Sequence, residues 1–176
     1  MTDLRQREDW LDGITGIPNR RVFDETVAEE LRRAHRMGMP VSLALLDVDY
    51  LRAFNHAVGH LEGDRVLRRL AETMAEQLRR AGDFLARYNG GTFGVLFPGT
   101  RDPEAPRAHC ETLRATVQDL DLVFTDADGE DRQLTVSGGF VSRVPGRAPT
   151  AAALTEPAEA ALRRAKAQGR NRIETA

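Results

Sequence analysis

The feature that most constrains this chain is an almost unbroken apolar run from Val41 to Val48. Only Ser42 and Asp47 interrupt it, and such a run is typical of a β-strand that is buried on both faces. A strand with two buried faces needs a packed layer on each side of its sheet. The sequence therefore predicts an α/β or α+β fold in which helices cover a central sheet.

Four segments have the spacing of amphipathic helices, with apolar residues three or four positions apart. The first begins after Asn19, a plausible N-cap, and ends before Pro40. The second carries the clearest apolar face and is expected to stop at Gly82. The predicted ranges are 19–35, a segment around 66–78, 103–119, and 157–167 with a stop at Gly169.

Two further patterns predict β-hairpins. Asn89-Gly90-Gly91 separates the apolar runs 84–88 and 92–97, and Asn-Gly in this setting favours a type I′ turn. Asp128-Gly129 separates runs 122–125 and 133–141, which predicts a second hairpin. The acidic stretch 126–131 lacks the spacing of an EF-hand, so we interpret it as an acidic turn.

Composition excludes several classes of protein. The chain has 176 residues, which suits one globular domain, and a net charge of -2, which does not suggest a broad nucleic-acid-binding surface. It contains no apolar run long enough to span a membrane, so we expect no membrane contact by this domain. The single cysteine, Cys110, excludes a disulfide framework and suits a reducing, cytoplasmic location.

Asp47 and Asp49 stand at the end of the predicted strand, where α/β sheets often place ligands. Carboxylate oxygens at such a position suit Mg²⁺, which usually binds one or two carboxylates together with substrate phosphates. The alternative is that the two aspartates simply end the strand and cap the following turn. The pair alone leaves both interpretations open.

The segment that follows, LLDVDYLRAFNHAVGHLEGDRVLRRLA, resembles the signature of the GGDEF family, the bacterial diguanylate cyclase domains. The family pattern is approximately D-x-D-x-F-K-x-x-N-D-x-x-G-H-x-x-G-D-x-x-L. The resemblance extends upstream to ITGIPNRRVF and downstream to LTVSGGFV and AKAQGRNRI, so that it covers about residues 12–173. It implies a nucleotidyl-cyclase palm, a five-stranded sheet wrapped by helices with a hairpin that carries the signature motif. Residues 1–11 would be a lead-in or the end of a connecting helix, and residues 12–176 the domain.

The resemblance also implies a nucleotide site. Family members condense two GTP molecules into cyclic di-GMP, with one GTP held by each domain of a dimer. Asp47 and the Val48 carbonyl would bind Mg²⁺, with Asp49 supporting that metal site. Asn55 and Asp64 would recognise guanine, and Lys166 and Arg170, taken as neighbours on one face of the last helix, would neutralise phosphate.

The signature hairpin departs from the family pattern R-Y-G-G-[DE]-E-F. The aligned residues after Arg87-Tyr88 are Asn89, Gly90, Gly91, Thr92 and Phe93. Gly91 stands at the position of the metal-binding carboxylate, and Thr92 at that of the glutamate. Loss of an outer metal partner lowers affinity or activity about 10–100-fold, and a direct ligand should matter at least as much. We therefore expect a weakened Mg²⁺ site and no catalytic residue in this motif.

Arg80-Ala81-Gly82-Asp83 lies five residues before the hairpin motif. Family members that are inhibited by their own product carry R-x-x-D at this distance, so Arg80 and Asp83 are the expected cyclic di-GMP ligands. The matching string Arg21–Asp24 shows that R-x-x-D alone is weak evidence, and an ordinary helix end is the alternative. A supporting arginine from the following helix would be Arg107 or Arg114.

The expected function is that of a catalytically inactive GGDEF domain that acts as a cyclic di-GMP receptor or regulatory module. Two alternatives remain: an active diguanylate cyclase that uses Asp47 and Asp49, and a protein-interaction module that retains only the fold. The expected partners are cyclic di-GMP, GTP, and either a second copy of the domain or other signalling domains.

Overall fold

The computed structural model describes residues 10–176, so residues 1–9 of the predicted lead-in lie outside the described part of the chain. The described helices are α1 (Arg20–Met37), α2 (Leu51–Val58), α3 (His60–Gln77), α4 (Glu104–Gln118) and α5 (Ala152–Ala167). The strands are β1 (Val41–Val48), β2 (Phe84–Asn89), β3 (Thr92–Pro98), β4 (Val123–Thr125), β5 (Asp131–Gln133), β6 (Val136–Arg143) and β7 (Ile173–Thr175).

The centre of the fold is a 5-stranded sheet with the order β2-β3-β1-β6-β7. Strand β1 occupies the middle and pairs antiparallel with both β3 and β6, whereas β7 pairs parallel with β6. Successive β1 residues point to opposite faces: Leu43 and Leu45 join one core cluster, and Ala44 and Leu46 join the other. The apolar run therefore has the two buried faces that its sequence predicts.

Helices cover both faces of the sheet. Helices α3 and α4 pack on the face that includes Leu46, and α1 and α5 pack on the face that includes Leu45. Helix α5 approaches β6 so closely that a Cβ at Gly139 would lie 1.9 Å from the Ala158 carbonyl oxygen. The predicted five-stranded sheet surrounded by helices is thus confirmed.

Three helix predictions need correction. Helix α3 ends at Gln77 rather than at Gly82, because the Gln77 carbonyl oxygen bonds to His109 Nε2 (2.9 Å) and the chain turns toward β2. Helix α5 begins at Ala152, before Pro157. Proline has no N–H to donate to the carbonyl of Ala153, and Arg143 donates to that oxygen instead (3.4 Å). The short helix α2 was not predicted.

Two strand predictions also need correction. The 133–141 run is divided, because β5 pairs with β4 in a separate 2-stranded sheet while β6 belongs to the central sheet. The hairpin between β2 and β3 is present, but among its turn residues only Gly90 has a positive φ (40°). A type I′ turn needs two such residues, so the predicted turn type is wrong.

Within residues 10–176, no helix is both long and apolar enough to cross a membrane.

Candidate functional site

An open cleft of about 980 Å³ lies where β1 ends, beside the β2–β3 hairpin and the start of α2. Many of the residues predicted for metal and nucleotide binding line it: Asp47, Val48, Asn55, Lys166 and Arg170. Gly91 of the signature hairpin lines it too. The fold thus brings together residues that are more than 100 positions apart in the sequence.

Both carboxylate oxygens of Asp47 have partners. Asp47 pairs across the sheet with Thr92, and the Thr92 hydroxyl donates to Asp47 Oδ1 (2.7 Å). Lys166 Nζ lies 2.8 Å from Asp47 Oδ2. Thr92 stands at the family's glutamate position. Its hydroxyl therefore donates a hydrogen bond to the same aspartate, Asp47, that would have to bind a metal ion.

Asp49 has no exposed surface. Its oxygens accept hydrogen bonds from Thr135 Oγ1 (2.6 Å), Ser137 Oγ (2.8 Å) and the Asn171 backbone N–H (3.1 Å). Lys166 Nζ is a further donor at 2.6 Å. This carboxylate ties β1 to β6 and to the segment after α5, and it reaches the cleft only through Lys166. Sequence reasoning missed Thr135, Ser137 and Asn171, which become neighbours of Asp49 only when the sheet forms.

The hairpin brings no acid to the cleft. An ideal Cβ at Gly91 would lie 2.6 Å from Leu51 Cδ2, so the Leu51 side chain occupies the space that a longer residue would need. The Gly91 carbonyl oxygen accepts a hydrogen bond from the Val48 N–H (3.0 Å), which holds the hairpin tip against the end of β1. Gly91 therefore removes a negative charge from the hairpin and also allows Leu51 to pack against it.

These donors do not fit a resident Mg²⁺ ion. Magnesium takes oxygen ligands in near-octahedral geometry, usually with one or two carboxylates. Here Asp47 is bound by Thr92 and Lys166, and Asp49 is sealed below the surface. Across residues 10–176 no group of three His, Cys, Asp or Glu side chains is placed to hold a metal.

Asn55 lines the cleft, but its unsatisfied acceptor faces Gly63 of α3. Its Oδ1 atom is buried and accepts no hydrogen bond from the described residues. Gly63 permits this position, because a Cβ there would lie 1.8 Å from that oxygen. Asp64 follows Gly63 on α3 and is half-buried. A ligand that donates an N–H group would satisfy Asn55.

Arg170 lies beside Lys166 at the cleft but not on the same helix. Helix α5 ends at Ala167, and Arg170 has a left-handed backbone (φ 64°), so the prediction that the two share one helix face is wrong. The Arg170 guanidinium lies 4.9 Å from the centre of the Tyr50 ring, and that of Arg132 lies 5.2 Å from it. Tyr50 and Arg132 were not predicted, because this contact joins β5 to two loops.

Arg80 and Asp83 form a second candidate site, in the loop between α3 and β2. Arg80 Nη1 donates to the Thr100 hydroxyl. Both carboxylate oxygens of Asp83 are shielded from solvent and accept no hydrogen bond from residues 10–176. Burial raises the pKa of Asp83, against the opposing charges of His109 and Arg80. A buried acceptor without a partner is rare in native proteins and has to be explained.

The two arginines considered as supports for this site are engaged elsewhere. Arg107 Nε bonds to Glu104 (3.0 Å). Arg114 bonds to Glu111 (2.8 Å) and to Asn171 (2.7 Å). The side chain of α4 whose charge acts on Asp83 is His109.

The base of the signature hairpin is fastened to the chain that precedes α1. Arg87 Nη1 lies 2.9 Å from Asp12 Oδ1, and Arg87 Nη2 donates to the Gly90 carbonyl oxygen (2.7 Å). Burial opposes ionisation of Asp12, but hydrogen bonds from Thr15 and Arg87 outweigh it and lower the pKa of that carboxyl. The hairpin is therefore held at both its base and its tip.

Comparison with known proteins agrees with this architecture. Residues 9–172 match the family model described as "Diguanylate cyclase, GGDEF domain". The chain is 39% identical over 176 residues to diguanylate cyclase DgcP of Pseudomonas aeruginosa, covering all of this chain and 25% of that protein. It is 37% identical over 163 residues to response regulator PleD of Caulobacter vibrioides, covering 92% of this chain and 35% of PleD. The chain thus spans about a quarter to a third of the length of these two relatives.

Solved structures give the same result. The coiled coil and GGDEF domain of DgcB from Caulobacter crescentus, in complex with c-di-GMP, superimposes with a TM-score of 0.87 at 32% identity. The match covers 99% of this chain and 89% of that one. With the palm-like sheet in place, a hairpin at the position of the signature motif and the family model matched over residues 9–172, the chain belongs to the GGDEF family of diguanylate cyclase domains.

Proposed function

We propose that this domain is a catalytically inactive GGDEF domain that binds cyclic di-GMP through Arg80 and Asp83 and so serves as a regulatory module. The observation that carries the proposal is the Asp83 carboxylate, which is shielded from solvent and accepts no hydrogen bond from residues 10–176. The bound dinucleotide would act on a second copy or on another signalling domain, in the bacterial cytoplasm.

The chemistry of guanine suits this pair of side chains. Arginine binds O6 and N7 of guanine with two hydrogen bonds. An ionised carboxylate accepts from the N1–H and N2–H₂ groups of the same base. A bound guanine would therefore supply Asp83 with donors, while Arg80 would turn from Thr100 to the base.

The proposed lack of cyclase activity rests on the cleft at the end of β1. Two-metal phosphoryl transfer needs carboxylates that fix both ions along the path of the reaction. Gly91 supplies no carboxylate, and the two carboxylate oxygens of Asp47 already contact Thr92 and Lys166. The cleft retains Asn55 and Arg170, which supports nucleotide binding without turnover.

Calorimetric titration with cyclic di-GMP tests the receptor function. Arg80→Ala should weaken binding by about five- to 150-fold, because a bidentate guanine contact is worth about 1–3 kcal/mol. Arg21→Ala is the matched control, because Arg21 belongs to the R-x-x-D string on α1, next to Glu25 (3.1 Å). Equal binding by the wild type and Arg80→Ala, or no binding at all, would favour the interaction-module alternative.

Chromatography of a long incubation with GTP and Mg²⁺ or Mn²⁺ tests the inactivity. We expect unchanged GTP. A cyclic di-GMP peak that disappears in Asp47→Ala would instead establish an active cyclase.

A further inference from the structure

The ammonium group of Lys166 lies between the two aspartates that would hold a metal. We propose that Lys166 is a built-in substitute for the divalent cation, so that the cleft binds a nucleoside triphosphate without metal. This inference rests on the proposed loss of the metal site and concerns what the same cleft can still bind.

Lys166 Nζ has an oxygen acceptor for each of its three N–H donors. Its three oxygen neighbours are Asp49 Oδ1 at 2.6 Å, Asp47 Oδ2 at 2.8 Å and the Asp47 carbonyl oxygen at 3.2 Å. An ammonium group has three N–H donors, one for each of these atoms. Each carboxylate oxygen retains a further acceptor site, but a divalent ion bound there would lie beside the ammonium charge, which would repel it as long as Lys166 stays in place.

Displacing Lys166 would leave Asp49 in an unfavourable position. Asp49 is fully buried, and Lys166 is its one charged partner among the described residues. Removing one partner of a buried ion pair leaves an uncompensated charge, which is strongly unfavourable. The hydroxyl of Thr92 further engages the remaining Asp47 oxygen (2.7 Å). Asp47 and Asp49 are therefore more favourably paired with the Lys166 ammonium group than with a divalent ion.

A metal ion in such a cleft has two electrostatic roles: it neutralises the carboxylates, and it attracts the phosphates. Lys166 fulfils the first. For the second, the side chains of Arg52 and Arg170 line the same cleft, as does the first turn of α2. Asp126 and Asp128 line it too, but Arg132 pairs with Asp126 (2.8 Å) and offsets its charge. Tyr50, the N-cap of α2, makes no side-chain cap hydrogen bond, so the first-turn N–H groups have no cap there. These groups provide positive charge and donors for a polyphosphate that carries no Mg²⁺.

The unsatisfied Asn55 oxygen adds a feature that a base can use. Asn55 lines the cleft, but its Oδ1 atom is buried against Gly63, so the amide has to turn from α3 toward the cleft to accept an N–H group of a purine. The ligand class is therefore a nucleoside triphosphate rather than a bare phosphate chain, and GTP is the probe.

The decisive measurement is calorimetric titration of the wild-type domain with GTP, once in EDTA and once in excess Mg²⁺. We expect the two dissociation constants to agree within about twofold. A gain of tenfold or more in Mg²⁺, or no binding of GTP in either buffer, would overturn the inference. No variant is needed for this result.

Lys166→Met gives a second test, because it keeps the apolar stem of the side chain and removes its charge. The variant should lose at least tenfold in GTP affinity in EDTA and regain part of it in Mg²⁺. Electron paramagnetic resonance with Mn²⁺ alone should detect binding to this variant but not to the wild type. Arg163→Ala, an exposed position on the same helix, is the matched control and should behave as the wild type. Binding of Mn²⁺ to the wild type would contradict the substitution of metal by Lys166.

Chromatography of the titrated samples separates this inference from the proposed function. Cyclic di-GMP in the Mg²⁺ sample would show that the domain is an active cyclase, which overturns both. Metal-dependent binding of GTP that remains intact would overturn this inference alone.

Discussion

Replacing Asp83 by asparagine should make the folded domain more stable and the ligand-bound state weaker. The two oxygens of Asp83 are shielded from solvent and have no hydrogen-bond donor among residues 10–176. Asparagine keeps the shape of the side chain and removes its charge, and burial penalises a neutral amide less than a carboxylate. Binding residues often destabilise the fold, because a site that is complementary to a ligand leaves polar groups unsatisfied when the ligand is absent.

The size of the effect follows from the unsatisfied carboxylate. A buried polar group without a partner destabilises a protein by about 1–3 kcal/mol. His109 and Arg80 partly offset this through their charges, so we expect the low end, about 1 kcal/mol. In a domain of this size, about 1 kcal/mol raises Tm by about 2–4 °C.

The stabilisation should depend on pH. Burial raises the pKa of Asp83 above its ordinary value of 3.8, so the folded state binds the proton more tightly than the unfolded state does. The favourable contribution of the protonated carboxyl is complete below that ordinary value and is lost as pH rises through the raised pKa. The advantage of Asp83→Asn over the wild type is therefore largest at neutral pH and shrinks toward acid pH.

Thermal unfolding at pH 7 and at several lower pH values measures the stability, and titration with cyclic di-GMP measures the binding. We expect at least about a tenfold loss of affinity at pH 7, since hydrogen bonds to charged groups contribute about 1.5–3 kcal/mol. Asp24→Asn is the matched control, because Asp24 ends the other R-x-x-D string and pairs with Arg20 (2.8 Å). The reasoning is refuted if Asp83→Asn lowers Tm at pH 7 or binds cyclic di-GMP as tightly as the wild type.

Three further substitutions or reactions test the packing of the site and the core. Gly63→Ala places a Cβ 1.8 Å from Asn55 Oδ1, so it should displace the Asn55 side chain and weaken GTP binding in calorimetry while the domain stays folded. Unchanged GTP affinity would exclude Asn55 as a ligand. Gly139→Ala places a Cβ 1.9 Å from the backbone oxygen of Ala158, so urea unfolding should reveal a loss of about 3 kcal/mol or more, and a loss below about 1 kcal/mol would contradict the close packing of α5 on β6. Burial raises the pKa of the Cys110 thiol, so a thiol-specific reagent should react with the urea-unfolded chain and not with the native one at pH 7; rapid native reaction would show that α4 opens.

Local patterns predicted the elements whose causes are local. The helix α1 begins after Asn19, whose side chain accepts a hydrogen bond from the Val22 N–H (3.2 Å), as the N-cap predicted. Strand β1 has the predicted bounds because seven of its eight residues bury their side chains, on alternate faces of the sheet. Helix α2 was missed because it has only eight residues, of which only Phe54 is buried, and this is shorter than the span over which a helical period can be recognised.

Errors arose where distant parts of the chain decide the outcome. The 133–141 run has the composition of one strand, but Leu122 and Asp49 bind its middle residues: the Leu134 N–H donates to the Leu122 carbonyl oxygen (2.9 Å), and the Thr135 carbonyl oxygen accepts from the Asp49 N–H (2.7 Å). The start of α5 was placed too late because Pro157 looked like a boundary, whereas Arg143 from β6 binds the carbonyl that proline leaves free. In each case the deciding hydrogen bond joins segments that lie too far apart in the sequence for a local pattern to reveal it.

The sequence by itself determined the family, the sheet and the absence of an acid at Gly91 and Thr92, because these depend on residue identity and on local periodicity. Only the tertiary structure decided what the remaining site residues do. Asp47 and Asp49 could have been metal ligands or structural acids, and the position of Lys166, more than 115 residues later, makes them partners of an ammonium ion. Asp83 is likewise distinguished by accepting no hydrogen bond from the described residues, which its residue type alone does not predict. Hydrogen-bond satisfaction and burial depend on which side chains the fold brings within about 3 Å of each other, and that is settled by long-range packing.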